Sequence, residues 1–391
     1  MTKEVKRHGS GYVQEVVKSA LANRGARYGL YWILFLVVVA VFAPFLANSH
    51  PILISENGMI SSPLVQNLNY IDNGLLIIFF TVVTLKFITI KFKYKIYYFL
   101  GSIIVSILVG VISSGPSQLT VYEQYRESET QNNYDWIVRT PIVYSPKDYL
   151  RDYGDTGLEE PFEAKNRIHL FGTNVNGADV FSRMVYASRI ALGIGFVATG
   201  IAMILGIIIG GFMGFYSGIV DMLGMRLVEI FEAIPTLFLL LTFVAFFGRS
   251  LYLMMVIIGL TSWSGYARFV RAEFLRLREQ EFVQSAIACG LPTRSILFRH
   301  MLPNGIAPIL VAASFGVASA ILAEATLSFL GLGLVDDPSW GQMLNQAVQS
   351  STFNWWMAVF PGGAIFLTVF TYNLLGEALR DAIDPNIKKI K

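Results

Sequence analysis

The sequence predicts an all-α integral membrane protein, and three observations lead to this fold class: the composition, the long apolar runs and the sidedness of the basic residues. Of the 391 residues, 54% are hydrophobic and only 15% are charged, against about 25% charged residues in soluble domains. This composition excludes a disordered chain or a disulfide-stapled secreted domain, and it argues against a nucleic-acid-binding protein. The single cysteine cannot form an internal disulfide or a cysteine-based metal cluster.

Apolar runs of about 20 residues are needed to cross the hydrocarbon core of a bilayer. Eight runs in the sequence are candidates, and the second and third of them are short with polar flanks. The predicted spans are residues 29–47, 74–90, 97–113, 190–215, 227–247, 251–267, 305–330 and 356–376.

The distribution of lysine and arginine predicts the orientation, because these residues resist translocation in short loops. They are concentrated in residues 1–28, 91–95 and 268–304, whereas residues 48–73 and 331–355 contain none. The pattern predicts that both termini lie in the cytoplasm.

Residues 1–28 are predicted to form a cytoplasmic amphipathic segment. One helical face carries its apolar residues, which are Tyr12, Val13, Val16, Val17, Ala20 and Leu21. Such a helix is suited to lie in the membrane interface against lipid, and a frayed tail is the alternative. A cleaved signal peptide is disfavoured, because the apolar run that follows is about 19 residues long, beyond the usual 7–15, and no clear A-x-A site ends it.

Residues 114–189 form the only large hydrophilic segment, and the predicted topology places them outside the cytoplasm. The segment contains aromatic residues that can be buried, namely Tyr122, Tyr125, Tyr134, Trp136 and Tyr144. We therefore expect an ordered external subdomain and not a linker.

No motif for catalysis or metal binding is present in the sequence. The chain has no Gly-Lys pair, and hence no G-x-x-x-x-G-K-[ST] loop to cradle phosphates. Its four histidines are scattered without metal-ligand spacing, and no G-x-S-x-G nucleophile elbow occurs. We expect no enzyme activity, catalytic residue, metal site or cofactor in this chain.

The cytoplasmic loop 272–304 has the features of a docking segment. A short helix is predicted in it, with one face formed by Phe282, Val283, Ala286 and Ile287. Gly290 suits the left-handed position that ends a helix, and Pro292 prevents its continuation. A second short helix, Ser295 to Met301, is expected before the chain turns back into the membrane at residues 302–304. Such a helix is suited to a partner's groove, and an interfacial loop helix is the alternative.

The same loop resembles the EAA loop of ABC importer permeases. The matching residues are Gln284-Ser-Ala-x-x-x-Gly290 and, after nine more residues, His300-x-Leu302-Pro303. In that family the loop is a coupling helix that sits in a cleft of the ATP-hydrolysing subunit. The usual Glu-Ala is replaced by Gln284-Ser285 here, and Glu281 lies one turn earlier. The resemblance implies ATPase contacts by Glu281, Gln284, Ser285, Ala286, Gly290, Pro292, Arg294, Leu302 and Pro303.

Four further segments resemble motifs of dipeptide and oligopeptide permeases. They are residues 169–183, 324–333, 338–341 and 373–385. The resemblance is to the second-permease type, and the residues 51–58 look more like the branch that imports microcin-C-like and longer peptides.

The resemblance implies a type I ABC importer permease. Its core of six spans would comprise the first helix, 29–47, and residues 190–376, followed by a cytoplasmic tail, 377–391. Residues 74–113 would be an inserted two-helix hairpin at the periphery. The implied setting is the bacterial inner membrane, with a homologous second permease, two ATPase subunits that bind ATP and Mg, and an external peptide-binding protein. Nickel chelates, glutathione and antibiotic peptides remain alternative substrates.

Ionisable residues inside predicted spans are candidates for the translocation path. Glu324 lies near the outer end of its span, where it would contact a peptide amine, or else hydrogen-bond neighbouring helices. Glu229 and Glu232 lie near the inner end of theirs, at a gate or a helix junction. An ion-driven secondary transporter and a membrane-embedded assembly factor are the rival function classes, and the EAA-like loop has no obvious purpose in either.

Overall fold

The computed structural model describes residues 16–112, 122–131, 133–149, 157–163, 168–334 and 337–383. The predicted N-terminal stripe is described only from Val16 onward, and Tyr12 and Val13 lie outside the described residues. Val16 and Ala20 are buried against Ala378 of the last helix. This part of the stripe therefore packs against protein and not against lipid.

The described residues are largely helical, with one small sheet. The principal helices are α1 (Arg24–Val41), α2 (Tyr70–Phe87), α3 (Phe92–Ile112), α4 (Val180–Tyr216), α5 (Gly218–Ala233), α6 (Thr236–Phe247), α7 (Leu251–Arg278), α8 (Glu281–Ala288), α9 (Leu302–Leu327), α10 (Trp340–Gln349) and α11 (Trp355–Ile383). Short helices cover Ala43–Leu46, Pro63–Gln66, Tyr122–Thr130 and Thr293–Ser295, and the strands are β1 (Leu53–Glu56), β2 (Met59–Ser61) and β3 (Trp136–Val138).

Among the described residues, seven helical stretches are long and apolar enough to cross a membrane, and the count reaches eight if α5 and α6 together form one span. These stretches coincide with the eight predicted spans, although most of them extend further than predicted. The fold is that of an all-α membrane protein, as the composition predicts.

The fifth predicted span, 227–247, is not one straight helix. The chain breaks at Ile234 and Pro235, and α5 and α6 meet at an angle of 80°. Proline explains the break, because its ring excludes the residue before it from the helical region and its nitrogen has no hydrogen to donate. We refer to α5 and α6 as the bent pair.

The turn predicted at residues 302–304 is absent, and the chain continues as one helical stretch from Thr293 to Leu332. A π-helical segment, Ile296–Met301, leads directly into α9, and the Leu302 N–H donates to the Leu297 carbonyl. The wider π turn accommodates Pro303. The predicted second short helix is therefore the first part of the seventh span.

Helices α4 and α7 form the centre of the core and approach each other along a row of glycines. A Cβ on Gly206 or Gly210 would overlap Tyr266 or Ala267 of α7, and one on Gly214 would lie 2.7 Å from the Arg271 carbonyl oxygen. Small residues at four-residue spacing permit this contact between backbones. We call the three glycines the glycine seam.

The small sheet has the order β2-β1-β3, with both pairings antiparallel. Strand β3 belongs to the predicted external subdomain, whereas β1 and β2 precede the hairpin α2–α3. The sheet therefore joins residues from before the inserted hairpin to residues of 114–189. Residues 113–121, 132, 150–156 and 164–167 of this region lie outside the described residues.

The hairpin α2–α3 lies at the periphery of the described structure. Its helices contact each other closely, with the Ser106 hydroxyl donating to the Gly74 carbonyl at 3.3 Å, but most of their side chains are exposed. The Phe42 ring, just after α1, meets the Phe79 ring of α2 edge to face at 5.4 Å.

Candidate functional site

The candidate site is the loop between α7 and α9, which is predicted to be cytoplasmic and contains the short helix α8. Gly290 follows this helix with φ of 70°, which confirms the predicted left-handed turn. The Leu291 N–H donates to the Ala286 carbonyl at 3.2 Å, and the Gly290 N–H donates to the Ile287 carbonyl at 2.9 Å. This pair of bonds is the Schellman motif, and it gives α8 a defined end.

Only part of the predicted apolar face of α8 is buried. Val283 and Ala286 are buried in a cluster with Phe274, Leu277 and Ile296, whereas Phe282 is 39% exposed and Ile287 is 41% exposed. The buried pair fixes α8 to the permease itself. Phe282 and Ile287 flank the buried face and remain at the surface.

The predicted docking residues separate into two groups by exposure. Ala286 is buried and Leu302 is half-buried against the same cluster, so both pack inside this chain. Ala286 is 6% exposed within this chain, and its contact with an ATPase stays a prediction. The exposed members of the predicted set are Glu281, Gln284, Ser285, Gly290, Pro292, Arg294 and Pro303.

Gln284 has a local role that explains its replacement of the usual glutamate. Its side-chain amide donates to the Arg278 carbonyl at 2.9 Å, at the end of α7. A carboxylate has no hydrogen to donate at neutral pH and cannot make this bond. The amide thus ties α8 to the helix before it, and the acidic residue on the exposed face of α8 is Glu281.

Cys289 lies at the C-terminal end of α8 and is exposed. It is the only cysteine of the chain. A thiol at this position reports directly on access to the loop.

The three acidic candidates for the translocation path lie in different environments. Glu324 of α9 is 2% exposed and accepts a hydrogen bond from the Ser328 hydroxyl at 2.6 Å. Glu232 pairs with Arg268 of α7, and Glu229 pairs with Arg226 within α5 at 2.5 Å. The structure does not bring these carboxylates together, and their role in translocation stays a prediction.

Polar contacts at the outer side of the core were not predicted from the sequence. His169 Nδ1 lies 2.8 Å from Asp179 Oδ1, and both residues are buried. Arg183 is buried as well, and its guanidinium donates to the Pro146 carbonyl at 3.1 Å. These contacts fasten the external segment to the start of α4. The match of residues 169–183 to a permease motif was the signal in the sequence that marked this region.

Burial raises the pKa of Asp148 to about 6 in this external segment. The Ser49 hydroxyl and the Ser145 N–H both donate to its carboxylate and oppose the shift. Among the described residues, no group of three or more His, Cys, Asp and Glu side chains is arranged to hold a metal ion.

Comparisons with known proteins agree with the motifs in the sequence. Residues 206–389 match the binding-protein-dependent transport system inner membrane components, and residues 11–69 match the N-terminal transmembrane domain of oligopeptide transport permease C. The dipeptide transport system permease protein DppC of Alkalihalophilus pseudofirmus is 38% identical over 247 residues, which cover 63% of this chain and 81% of that protein. The chain belongs to the dipeptide and oligopeptide permease family of ABC importers.

A further relative and a solved structure are also similar to this chain. The oligopeptide transport system permease protein OppC of Haemophilus influenzae is 39% identical over 218 residues, covering 56% of this chain and 70% of that protein. A solved structure of the MetNI methionine ABC transporter in inward-facing conformations has a TM-score of 0.42 and 18% identity, covering 51% of this chain and 96% of that chain.

Family membership confirms the predicted fold class and subunit type. The chain is a multi-pass inner-membrane permease of a bacterial ABC importer, and permeases of this family act with ATPase subunits and a binding protein. Residues 70–205 lie outside both family matches. The hairpin α2–α3 is thus a feature of this chain that the family descriptions do not cover.

Proposed function

We propose that this permease moves peptides into the cell as the second of two permease subunits in an ATP-driven importer. The observation that supports it most directly is the geometry of α8, a helix anchored on one side by Val283 and Ala286 and exposed on the other. The related dipeptide and oligopeptide permeases support the substrate class.

In the proposed assembly, this chain contains no nucleotide site of its own. Two ATPase subunits bind ATP and Mg, a homologous permease completes the pathway through the membrane, and an external protein delivers the peptide. We also place both termini in the cytoplasm, because the basic residues of the N-terminal segment and of the loop that meets the ATPases resist translocation.

The proposed mechanism is alternating access coupled through α8. ATP-driven closure of the ATPases moves α8 and thereby shifts the spans from an inward-open to an outward-open arrangement. The ATPases can bias this equilibrium only if they bind the two arrangements with different affinity. The buried face of α8 and the hydrogen bond of Gln284 fix this helix to the permease. Movement of the ATPases can therefore be passed through α8 to the spans.

Cys289 provides a direct test of docking and orientation. A membrane-impermeant maleimide should label Cys289 in inside-out vesicles that contain the permease without its ATPases, and should not label it in right-side-out vesicles. Addition of the ATPase subunits should protect the thiol. Protein with Cys289→Ser is the control for background labelling.

The outcome of this labelling distinguishes the proposals. Labelling from the outside would overturn the orientation, and an unchanged labelling rate in the presence of bound ATPases would overturn docking at α8. For the substrate, the reconstituted complex should accumulate radiolabelled peptide only with ATP. Uptake driven by an ion gradient without ATPase subunits would instead favour a secondary transporter.

A further inference from the structure

The bent pair is joined to α7 by two arginine–carboxylate pairs near the cytoplasmic side. Arg271 contacts Asp221, in the first turn of α5, through Nε and through Nη2, the latter at 2.5 Å. Arg268 pairs with Glu232, in the last turn of α5. The two pairs therefore hold both ends of α5 to the same helix.

Helix α7 is itself part of a rigid unit. The glycine seam locks it to α4, and an apolar cluster that includes Phe274, Val283 and Ile296 joins it to α8 and to the start of the seventh span. We call α4, α7 and α8 the coupling body. Any displacement of α8 is transmitted to α7 through these packed side chains.

The bent pair is packed much less tightly against this body. Val228 is the only buried residue of α5, and α6 buries Leu240 and Val244. Val228 and the Phe231 ring do pack against Trp263 of α7, but this apolar contact is small, and the two ion pairs add the polar attachment at both ends of α5. Both pairs are partly exposed to solvent, so they can break and re-form without leaving a charge in a dry interior.

The connection between α4 and α5 has the geometry of a hinge. Ser217 and Gly218 adopt φ of 49° and 58°, two consecutive residues in a region that only glycine adopts readily. Arg278, the last residue of α7, donates to the Ser217 hydroxyl at 2.7 Å. On the far side of the loop, the Thr293 hydroxyl lies 3.5 Å from that of Tyr216. Both ends of the loop that contains α8 thus contact the connection between α4 and α5.

We propose that Arg268, Arg271 and Arg278 are positioning residues that transmit the movement of α8 to the bent pair, which acts as the cytoplasmic gate. Arg278 acts on the hinge, and the other two set the position of α5. The inference rests on the proposed docking of ATPases at α8. It assigns Glu232 to the control of the gate and not to contact with substrate.

The test compares transport with ATP hydrolysis in the complete reconstituted importer. Arg271→Gln should lower peptide uptake by about tenfold, while ATP hydrolysis continues, so that more ATP is consumed per peptide. The exchanged variant, Arg271→Asp with Asp221→Arg, should recover most of the uptake. Arg276→Gln is the matched control, because Arg276 is on the same helix but pairs with Glu273 within that helix. The rates of peptide uptake and ATP hydrolysis in this variant should equal those of the unchanged protein.

An unchanged ratio of ATP to peptide in Arg271→Gln would overturn the proposal. A parallel loss of uptake and hydrolysis, without recovery in the exchanged variant, would also overturn it, since it would mean a structural role alone. Protection of Cys289 by the ATPases is measured in the same variants. Retained protection with lost coupling supports the gate, whereas absence of protection in the unchanged protein would overturn the docking on which the proposal rests.

Discussion

Two attachments in this protein are made by different means, one between two core helices and one between the inserted hairpin and the core. Helices α4 and α7 meet along the glycine seam, where backbone touches backbone over a long stretch. The hairpin α2–α3 is instead fastened to the core mainly at its outer end. There Asp72 of α2 lies 2.6 Å from Arg189 of α4, and both side chains are largely buried.

Arg189 joins three elements at this point. Besides Asp72, its guanidinium donates to the Ala40 carbonyl at 2.6 Å and to the Val41 carbonyl at 3.4 Å, at the end of α1. The seam has no directional bond and tolerates no added volume, whereas the hairpin contact depends on charge and tolerates changes of volume around it. The helices of the transport core are thus held together by shape, and the inserted hairpin is held by a buried ion pair together with the contact between the Phe42 and Phe79 rings.

The largest expected effect is at the seam. Gly210→Val would place a Cβ atom in overlap with the Ala267 carbonyl oxygen, and we expect little folded protein in the membrane. Gly200→Val is the matched control on the same helix, since nothing lies within 4 Å of its Cβ position. The measurement is the yield of monodisperse protein in detergent. Equal yields of the two variants would show that the seam is not a tight contact.

The next effect is at the hairpin. Asp72→Asn leaves Arg189 without its carboxylate, and removal of one partner from a buried ion pair costs about 3–5 kcal/mol. Asn69→Ala removes only the helix cap that Asn69 supplies to the Asp72 N–H, at a cost of about 1 kcal/mol. Thermal unfolding in detergent should therefore show a clearly larger drop for Asp72→Asn. Equal drops would mean that capping, not the ion pair, secures the hairpin.

The external segment gives a polar contact with a measurable pH dependence. The pKa of Asp148 is raised from 3.8 to about 6 by burial. Because the folded state holds this proton more tightly than the unfolded chain does, stability rises as the pH falls from about 6 toward 4. It falls as the pH rises through 6, by about 3 kcal/mol in all.

Asp148→Asn should remove this pH dependence and be more stable than the unchanged protein above pH 6, as measured by thermal unfolding at a series of pH values. Asp135 provides a control of opposite sign, because hydrogen bonds from the Gly58 N–H and the Ser55 hydroxyl lower the pKa of Asp135. The stability that the Asp135 carboxylate contributes to the fold is therefore lost as the pH falls. A pH profile unaffected by Asp148→Asn would contradict the assignment.

The smallest effect on stability is expected at Gly290, a glycine that is needed for its backbone angle and not for its size. Nothing lies within 4 Å of its Cβ position, so Gly290→Val meets only the cost of a left-handed conformation, about 1–2 kcal/mol. We expect ATP hydrolysis to become uncoupled from uptake, because the end of α8 is altered. Gly290→Asn should retain coupling, since asparagine adopts this conformation readily. Intact coupled uptake in Gly290→Val would refute the role of this turn.

Much of the fold follows from local properties of the chain. The eight apolar runs, the basic loops and the turn at Gly290 were predicted from short segments of sequence. The length of an apolar run, the position of basic residues and the left-handed preference of glycine are all local properties. The bend at Pro235 was missed, although the proline itself was the signal. The helix through Pro303 was also missed, because a π turn relieved the expected break.

The candidate site was predicted as a segment but not as a surface. The pattern placed Phe282, Val283, Ala286 and Ile287 on one face, and only the packed structure showed that the middle two are buried. The role of Gln284 required knowledge of where the end of α7 lies. Periodicity identifies a face of a helix, but it does not say how much of that face the protein itself covers.

The sequence by itself determined the membrane class of this protein, the positions of its candidate spans and the family of the permease, and it predicted their sidedness. These features depend on local sequence, because a span needs an apolar run of sufficient length and because positively charged residues in short loops resist translocation. Only the tertiary structure decided the partners of Asp72, Asp221 and Glu232. Arg189 is 117 residues from Asp72 in the chain, and which helices cross decides whether two such charges meet.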